Sequence, residues 1–208
     1  MKDRRNFLKS CGMATVATGM TTIAYAQGPL VTQRDNINEV GPKPGYRPQI
    51  GTLVSMLNWM RDVILGPVSR MGVEELDFVL DDNANSIGAM LLHLAATERF
   101  YQLNTFDGRS WGDWPAEDRN RFSVAMSLGD RGRREIKGNE LSFYLDTLEE
   151  VRARTLKELA SRDDEWLLSV DHNWGWGPTN NYCKWFHVCE HESNHNGQIK
   201  FVRSRIRV

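Results

Sequence analysis

Hydrophobic residues recur every three to four positions in four separate stretches of the chain, which is the spacing of one face of an α-helix. The stretches span approximately residues 50–72, 85–105, 140–162 and 180–205. Pro67 predicts a kink or an early end in the first helix, and Asn85-Ser86 is suited to cap the second. No pair of strands stands out. We therefore predict an all-α protein whose four helices pack as an antiparallel four-helix bundle.

The segment between the second and third helices has no sustained period. Residues 106–138 contain glycine, aspartate and arginine together with Trp111 and Trp114, and they predict a long irregular loop. Two further tryptophans, Trp174 and Trp176, lie in a Gly-rich loop just before the fourth helix. Such aromatic residues could wall a binding pocket or form a satellite core at the end of the bundle, and both interpretations stay open.

The amino terminus is typical of an export signal. Arg4-Arg5 precedes Phe7-Leu8-Lys9, a weakly apolar stretch follows, and Ala24-Tyr25-Ala26 supplies small residues for cleavage. The paired arginines resemble a twin-arginine signal, so we expect a periplasmic protein. An uncleaved anchor is the alternative, although about 17 residues rich in threonine and glycine are marginal for a membrane span. We predict a signal peptide at 1–26, an extended lead-in at 27–48 and a helical metal-binding domain at 49–208.

Charge excludes one large class of partners. The chain of 208 residues has 26 Lys+Arg and 27 Asp+Glu, which gives a formal net charge of −1. A nucleic-acid-binding domain usually carries a clustered basic surface. We therefore expect no nucleic acid partner, and after processing of the signal we expect no stable membrane insertion.

Three of the five histidines fall on the core-facing side of predicted helices. At about 100° per residue, His191 and His195 lie one turn apart on the apolar stripe of the fourth helix. His93 is a lone polar ring in the apolar run of residues 91–94 on the second helix. Each could be a core histidine satisfied by hydrogen bonds. Imidazoles delivered from two helices to one core are, however, how helical bundles build metal sites.

The segment from His191 to His195 also matches the H-E-x-x-H pattern of zinc metalloproteases. Such enzymes need a third ligand, and the residues after His195 contain no His, Glu, Asp or Cys. Gln198 and Phe201 occupy the positions where the longer metzincin pattern needs Gly and His. A metalloprotease is therefore the weakest of the enzymatic interpretations.

The chain resembles the DinB-like (DinB/YfiT) superfamily of four-helix-bundle metalloenzymes in two places. One is the second helix with His93, and the other is the segment from His191-Glu192 to His195-Asn196-Gly197-Gln198-Ile199. The resemblance covers about residues 50–206. It implies a divalent metal ion held by His93, His191 and His195. Many members carry a further histidine where this chain has Asn194. Because that position is not a ligand, the implied set is unaffected.

Three neutral imidazoles leave coordination positions open, which favours a catalytic over a structural metal site. Zinc and nickel suit such ligands best, and iron and manganese are the alternatives. The resemblance implies that the metal activates a low-molecular-weight thiol for transfer or isomerisation. An exported protein could instead hydrolyse its substrate with an activated water.

Further residues could assist the implied ligands. His187 lies one turn before His191 and is either a fourth ligand or a neighbour that supports one. Glu98 could orient a ligand ring or form a buried ion pair. Glu192 is the candidate general base, with a salt bridge as its alternative. His172 lies in a loop and is expected at the surface.

We therefore expect an exported, metal-dependent transferase or hydrolase that acts on a small molecule, with a thiol as one candidate. The alternative is a non-catalytic metal-binding or stress-related interaction protein. Open coordination beside a pocket would favour the enzyme, whereas a site closed by His187 would favour binding alone. Because related bundles often dimerise, a homodimer is the expected assembly.

Overall fold

The computed structural model describes residues 36–206. Its elements follow in the order α1 (Pro48–Val68), α2 (Val73–Asp77), α3 (Ile87–Thr105), α4 (Ala116–Ser127), α5 (Gly129–Glu135), α6 (Leu141–Ala160), α7 (Asp164–Leu168), β1 (Val170–Asp171), β2 (Thr179–Asn180) and α8 (Asn181–Arg203). The described part of the chain is therefore all-α apart from one short pair of strands. This confirms the predicted class.

The four predicted helices are α1, α3, α6 and α8. Helix α3 packs against α6 and α8, while α1 packs against α8 and α6. Each long helix thus has two long neighbours, which is the arrangement that a four-helix bundle requires. The antiparallel four-helix bundle itself stays a prediction.

Local sequence signals account for where these helices begin and end. Pro48 occupies the first turn of α1, where its missing N–H costs no hydrogen bond. Pro67 lies in the last turn, and α1 ends one residue later. The Ser86 hydroxyl accepts a hydrogen bond from the backbone N–H of Ala89 and caps α3, as predicted. Asn180 caps α8 in the same manner.

The prediction of an irregular loop at 106–138 was wrong, because this segment contains α4 and α5. Helix α4 buries only Asp118, Phe122 and Ala125, and α5 buries only Gly132. So few buried positions leave no apolar period in the sequence. Helix α4 is instead held by its packing on α3, which includes an ion pair from Arg99 to Asp118 at 2.7 Å.

The prediction that no strands pair was also wrong at one place. Val170 pairs with Asn180, and Asp171 pairs with Thr179, in an antiparallel ladder. A ladder of two residues per strand is too short to leave an alternating pattern. The hairpin leads directly into α8 and holds the loop of Trp174 and Trp176 at the start of that helix.

Two groups of buried hydrophobic side chains form the core. One surrounds α3 and includes Leu91 and Tyr144, and the other lies between α1 and α8 and includes Leu57 and Trp185. Helices α3 and α6 approach closely at Gly88, where an added Cβ would lie 2.6 Å from the hydroxyl oxygen of Tyr144. Any larger residue at this position would therefore displace the Tyr144 ring.

The predicted signal peptide at 1–26 lies outside the described residues, as does the first part of the predicted lead-in. The rest of the lead-in contacts the helical domain, since the backbone N–H of Gly41 donates to the hydroxyl of Ser55 at 3.1 Å. Within residues 36–206, no helix combines the length and apolar character that crossing a bilayer would need.

Candidate metal centre

The structure brings together the three histidines that the sequence singled out. His93 lies on α3, and His191 and His195 lie one turn apart on α8. One nitrogen from each ring lies within 4.8 Å of the others, and the ring centroids are 4.7 to 5.0 Å apart. His93 and His195 are buried, whereas His191 is half-buried and borders a cavity. The packing of α3 on α8 therefore assembles a three-nitrogen site.

A backbone contact fixes the orientation of the His93 ring. Its Nδ1 lies 2.9 Å from the carbonyl oxygen of Ala125, which can only accept, so Nδ1 carries the proton and donates it. The lone pair of His93 is then on Nε2, which faces Nε2 of His191 at 2.8 Å. A hydrogen bond to the far nitrogen is the usual way in which proteins orient a metal-binding histidine.

Burial keeps the three imidazoles neutral. It lowers the pKa of His191 to about 3, with His195 and His93 adding to the effect. Burial, together with His93, lowers the pKa of His195 to about 4, and burial also lowers the pKa of His93 itself. A neutral imidazole offers a lone pair to a cation, whereas a protonated one repels it.

The donor set fits a divalent metal ion. Nδ1 of His195 is buried and has no hydrogen-bond partner among residues 36–206, which is costly for a polar atom unless it binds something. Three neutral nitrogens in one place suit zinc or nickel, and they leave coordination positions for a substrate.

Beside the histidines, four charged side chains form a buried cluster that joins all four long helices. We call Arg61, Glu98, Arg152 and Glu192 the ion tetrad. Arg61 contacts Glu192 at 2.6 Å and Glu98 at 2.8 Å. Arg152 contacts Glu98 at 2.8 Å and Glu192 at 3.0 Å. All four residues are at most 7% exposed, and their formal charges cancel.

The ion tetrad accounts for both acidic residues that the sequence placed near the site. Burial would raise the pKa of Glu98, but Arg152 and Arg61 outweigh it and hold that pKa at about 2. Glu192 Oε1 accepts hydrogen bonds from the same two arginines. The general-base role of Glu192 stays a prediction, and these contacts oppose it because they already occupy Oε1.

His187 lies apart from the three-nitrogen cluster, although it is one turn away from His191. Its Nδ1 lies 2.8 Å from the hydroxyl of Tyr101, and its ring centroid is 5.4 Å from that of His191. Burial lowers the pKa of His187 and raises that of Tyr101. The Tyr101 hydroxyl therefore keeps its proton and shares a hydrogen bond with the neutral His187 ring.

A cavity of about 450 Å³ opens beside His191. We call it the histidine chamber. Its floor includes His191 and His187, and its walls include Trp111, Trp174 and Trp176. The volume lies in the range of small-molecule sites, roughly 300 to 1,000 Å³. These three tryptophans therefore line a cavity of suitable size, and its use as a binding pocket stays a prediction.

Trp114 does not line the histidine chamber and packs in a hydrophobic core instead. It is 5% exposed, and its ring lies against Phe100 and Phe122 in the core around α3. Trp174 serves both purposes, since it lines the chamber and also packs with the core between α1 and α8.

Sequence reasoning missed several residues that shape this site. Arg61 and Arg152 each directly follow a buried apolar residue on a long helix. A charged residue so close to the apolar face was the sequence signal available for their burial. Tyr101 lies within the predicted second helix, where no sequence pattern marked it as a partner of His187. The Ala125 carbonyl left no signal, because any residue type carries a backbone oxygen.

Comparison with known proteins adds a family and a fold. A family model described as mycothiol-S-transferase matches residues 52–208. Among solved structures, the chain is similar to one described as the conserved protein of locus from Enterococcus faecalis, with a TM-score of 0.56 and 17% sequence identity. That match covers 73% of this chain and 92% of the other, and it supports the fold alone. The search of curated proteins found no match.

Proposed function

Because the chain belongs to the mycothiol-S-transferase family, which is DinB-like, we propose that it transfers a low-molecular-weight thiol to a small electrophile. The observation that carries this proposal is the set of three neutral imidazoles, His93, His191 and His195, at the edge of the histidine chamber. These residues would hold a divalent ion, with zinc or nickel as the favoured metals and iron or manganese as alternatives.

A bound divalent ion would supply Lewis acidity, which lowers the pKa of a coordinated thiol. The chain's own residues would do the rest. Ala125 orients the His93 ring through Nδ1, so that Nε2 points towards the ligand position. The tryptophan walls would provide an apolar surface for the electrophile.

The position of His187 supports catalysis rather than metal binding alone. A site closed by a fourth histidine would leave less room for a thiol to coordinate. Nδ1 of His187 is instead engaged with the Tyr101 hydroxyl, and its ring lines the chamber. The pair would therefore contact the bound substrate rather than complete the coordination of the metal.

Replacing a ligand tests the proposal directly. We expect wild-type protein to bind one metal ion per chain and to conjugate mycothiol with 1-chloro-2,4-dinitrobenzene. His195→Ala should lower both metal content and turnover, the latter by more than about 100-fold, because even residues that only support a ligand can account for about 10- to 100-fold. Elemental analysis and absorbance of the conjugate measure the two effects.

His172→Ala is the matched control, because His172 is an exposed loop histidine. It should retain wild-type metal content and turnover. Equal turnover in His195→Ala and wild type, or an absence of metal from both, would overturn the proposed function.

A further inference from the structure

The histidine chamber offers a route from solvent to the three proposed ligands. His191 lines this cavity, whereas His93 and His195 do not line it and are each 7% exposed. An ion that enters through the chamber therefore meets His191 before the other two ligands. The groups that lie outside His191 on this route determine how easily the ion enters.

The lining of the chamber is poorly suited to a free cation. Among the described residues, those that line it include no Asp, Glu, Lys or Arg. Indole rings form much of its surface. A divalent ion that gives up water in such a cavity loses hydration energy and gains no carboxylate in exchange. Entry therefore calls for a negatively charged group at the edge of the chamber.

Glu190 supplies a carboxylate at this edge. Its Oε2 lies 3.8 Å from Nε2 of His187, and His187 lines the chamber. This separation is too long for a hydrogen bond. Within the described part of the chain, Glu190 forms no ion pair with Lys or Arg, and His187 is its charged-group neighbour. The negative charge of Glu190 is therefore available to a cation.

The gap between these two atoms matches the size of a metal ion. Tetrahedral zinc binds nitrogen and oxygen at about 2.1 Å, which places the two ligand atoms about 3.4 Å apart. The observed separation of 3.8 Å is close to this value, and the half-exposed Glu190 side chain is free to close the difference. His187 and Glu190 thus form a two-ligand site that faces solvent.

The contact of His187 with Tyr101 leaves the Nε2 atom able to bind. Nδ1 of His187 lies 2.8 Å from the Tyr101 hydroxyl, whose oxygen can accept a hydrogen bond as well as donate one. When Nδ1 carries the proton and donates it to this oxygen, the lone pair of the ring is on Nε2, on the side of Glu190. His93 is held in the same way by the Ala125 carbonyl.

Exposure falls in steps along this route. The Glu190 side chain is 50% exposed and that of His187 is 31% exposed, whereas the inner ligands are buried. The ring centroid of His187 lies 5.4 Å from that of His191. An ion held by Glu190 and His187 is therefore one imidazole away from the first of the three ligands.

We propose that His187 and Glu190 capture a divalent ion from solvent and pass it to His191, from which it reaches the complete set of three histidines. The pair then releases the ion and takes no part in its final coordination. This inference rests on the metal site of the proposed function, and it concerns how that site is loaded.

Zinc uptake by the metal-free, full-length chain tests this role. Zinc chloride is mixed with the protein by stopped flow, and the fluorescence of the chamber tryptophans reports binding. Release from the zinc-loaded protein is followed with excess 4-(2-pyridylazo)resorcinol. We expect Glu190→Gln to slow uptake about tenfold. Release should slow by the same factor, because a group that assists entry also assists exit, and the Kd of zinc should therefore be unchanged.

Two further variants make the test specific. Glu149→Gln is the matched control, because it removes the same charge from an exposed position on α6 outside the chamber lining, and it should leave both rates unchanged. His187→Gln should slow uptake and release as Glu190→Gln does. The double variant should be no slower than the slower single variant, because both residues serve one step.

The outcomes distinguish this inference from the proposed function. If Glu190→Gln takes up zinc as fast as Glu149→Gln, the capture role is overturned and the three-histidine site stands. If Glu190→Gln or His187→Gln raises the Kd of zinc and speeds its release, the residue is a permanent ligand and the inference is overturned. If the wild-type chain binds no zinc, the inference and the proposed function both fail.

Discussion

At the scale of single residues, His93 depends on one backbone atom. The Ala125 carbonyl decides which ring nitrogen carries the proton, and so decides which nitrogen faces His191. The spacing of His191 and His195 could be read from the sequence, since both lie on one helical stripe. The partner of His93 could not, because it belongs to a helix without a recognisable apolar period.

The neutral imidazoles predict how acid affects the metal-free protein. The unfolded chain takes up protons on these histidines near pH 6.5. The folded chain takes them up only near the lowered pKa values of about 4 for His195 and about 3 for His191. The unfolded state thus binds more protons in this window, and the free energy of unfolding should fall as the pH drops from about 6.5 towards 4.

Urea unfolding of the metal-free protein at several pH values measures this slope. His191→Gln should make it shallower, by at most one proton's equivalent of about 1.4 kcal/mol per pH unit, and by less because the ring is half-buried. His172→Gln, at an exposed position, should leave it unchanged. A slope that is identical in wild type and His191→Gln would contradict the prediction.

At the scale of elements, the long helices were predictable and the short ones were not. Helices α1, α3, α6 and α8 each bury an apolar stripe that repeats in the sequence. Helix α4 is mostly polar and is held by contacts with α3, such as Arg99 to Asp118, which no local pattern specifies. For the tryptophans in the Gly-rich loops, the sequence left a chamber wall and a satellite core equally open, because their contacts come from several elements.

Breaking the ion tetrad should destabilise the packing of the four long helices far more than breaking a surface pair does. Arg152→Met would leave Glu98 and Glu192 buried with one cation between them, and we expect a loss of about 3 to 5 kcal/mol. Arg121→Met is the matched control, because Arg121 pairs with Glu150 at the surface, and its loss should be below about 1 kcal/mol. Denaturant unfolding measures both, and equal losses would contradict the buried role of Arg152.

At the scale of the whole molecule, the all-α class is confirmed, and the homodimer and periplasmic location stay predictions. Residues 4–9 carry the export prediction. Arg4→Lys with Arg5→Lys preserves charge, and it should abolish processing and remove the protein from the periplasm of a bacterial host with a twin-arginine pathway. Cell fractionation with immunoblotting measures the change, with Lys2→Arg as the control. An unchanged periplasmic amount in the double variant would exclude this route.

The ion tetrad also has a consequence for how the chain assembles. Arg61 and Glu192 are 131 positions apart, and the network takes one charged member from each of the four long helices. An intermediate that lacked α8 would enclose two guanidinium groups with one carboxylate, and one that lacked α6 would enclose two carboxylates with one guanidinium. Such states carry a desolvation cost that the complete set avoids. We therefore expect partly assembled forms to be scarcely populated and folding to be all-or-none.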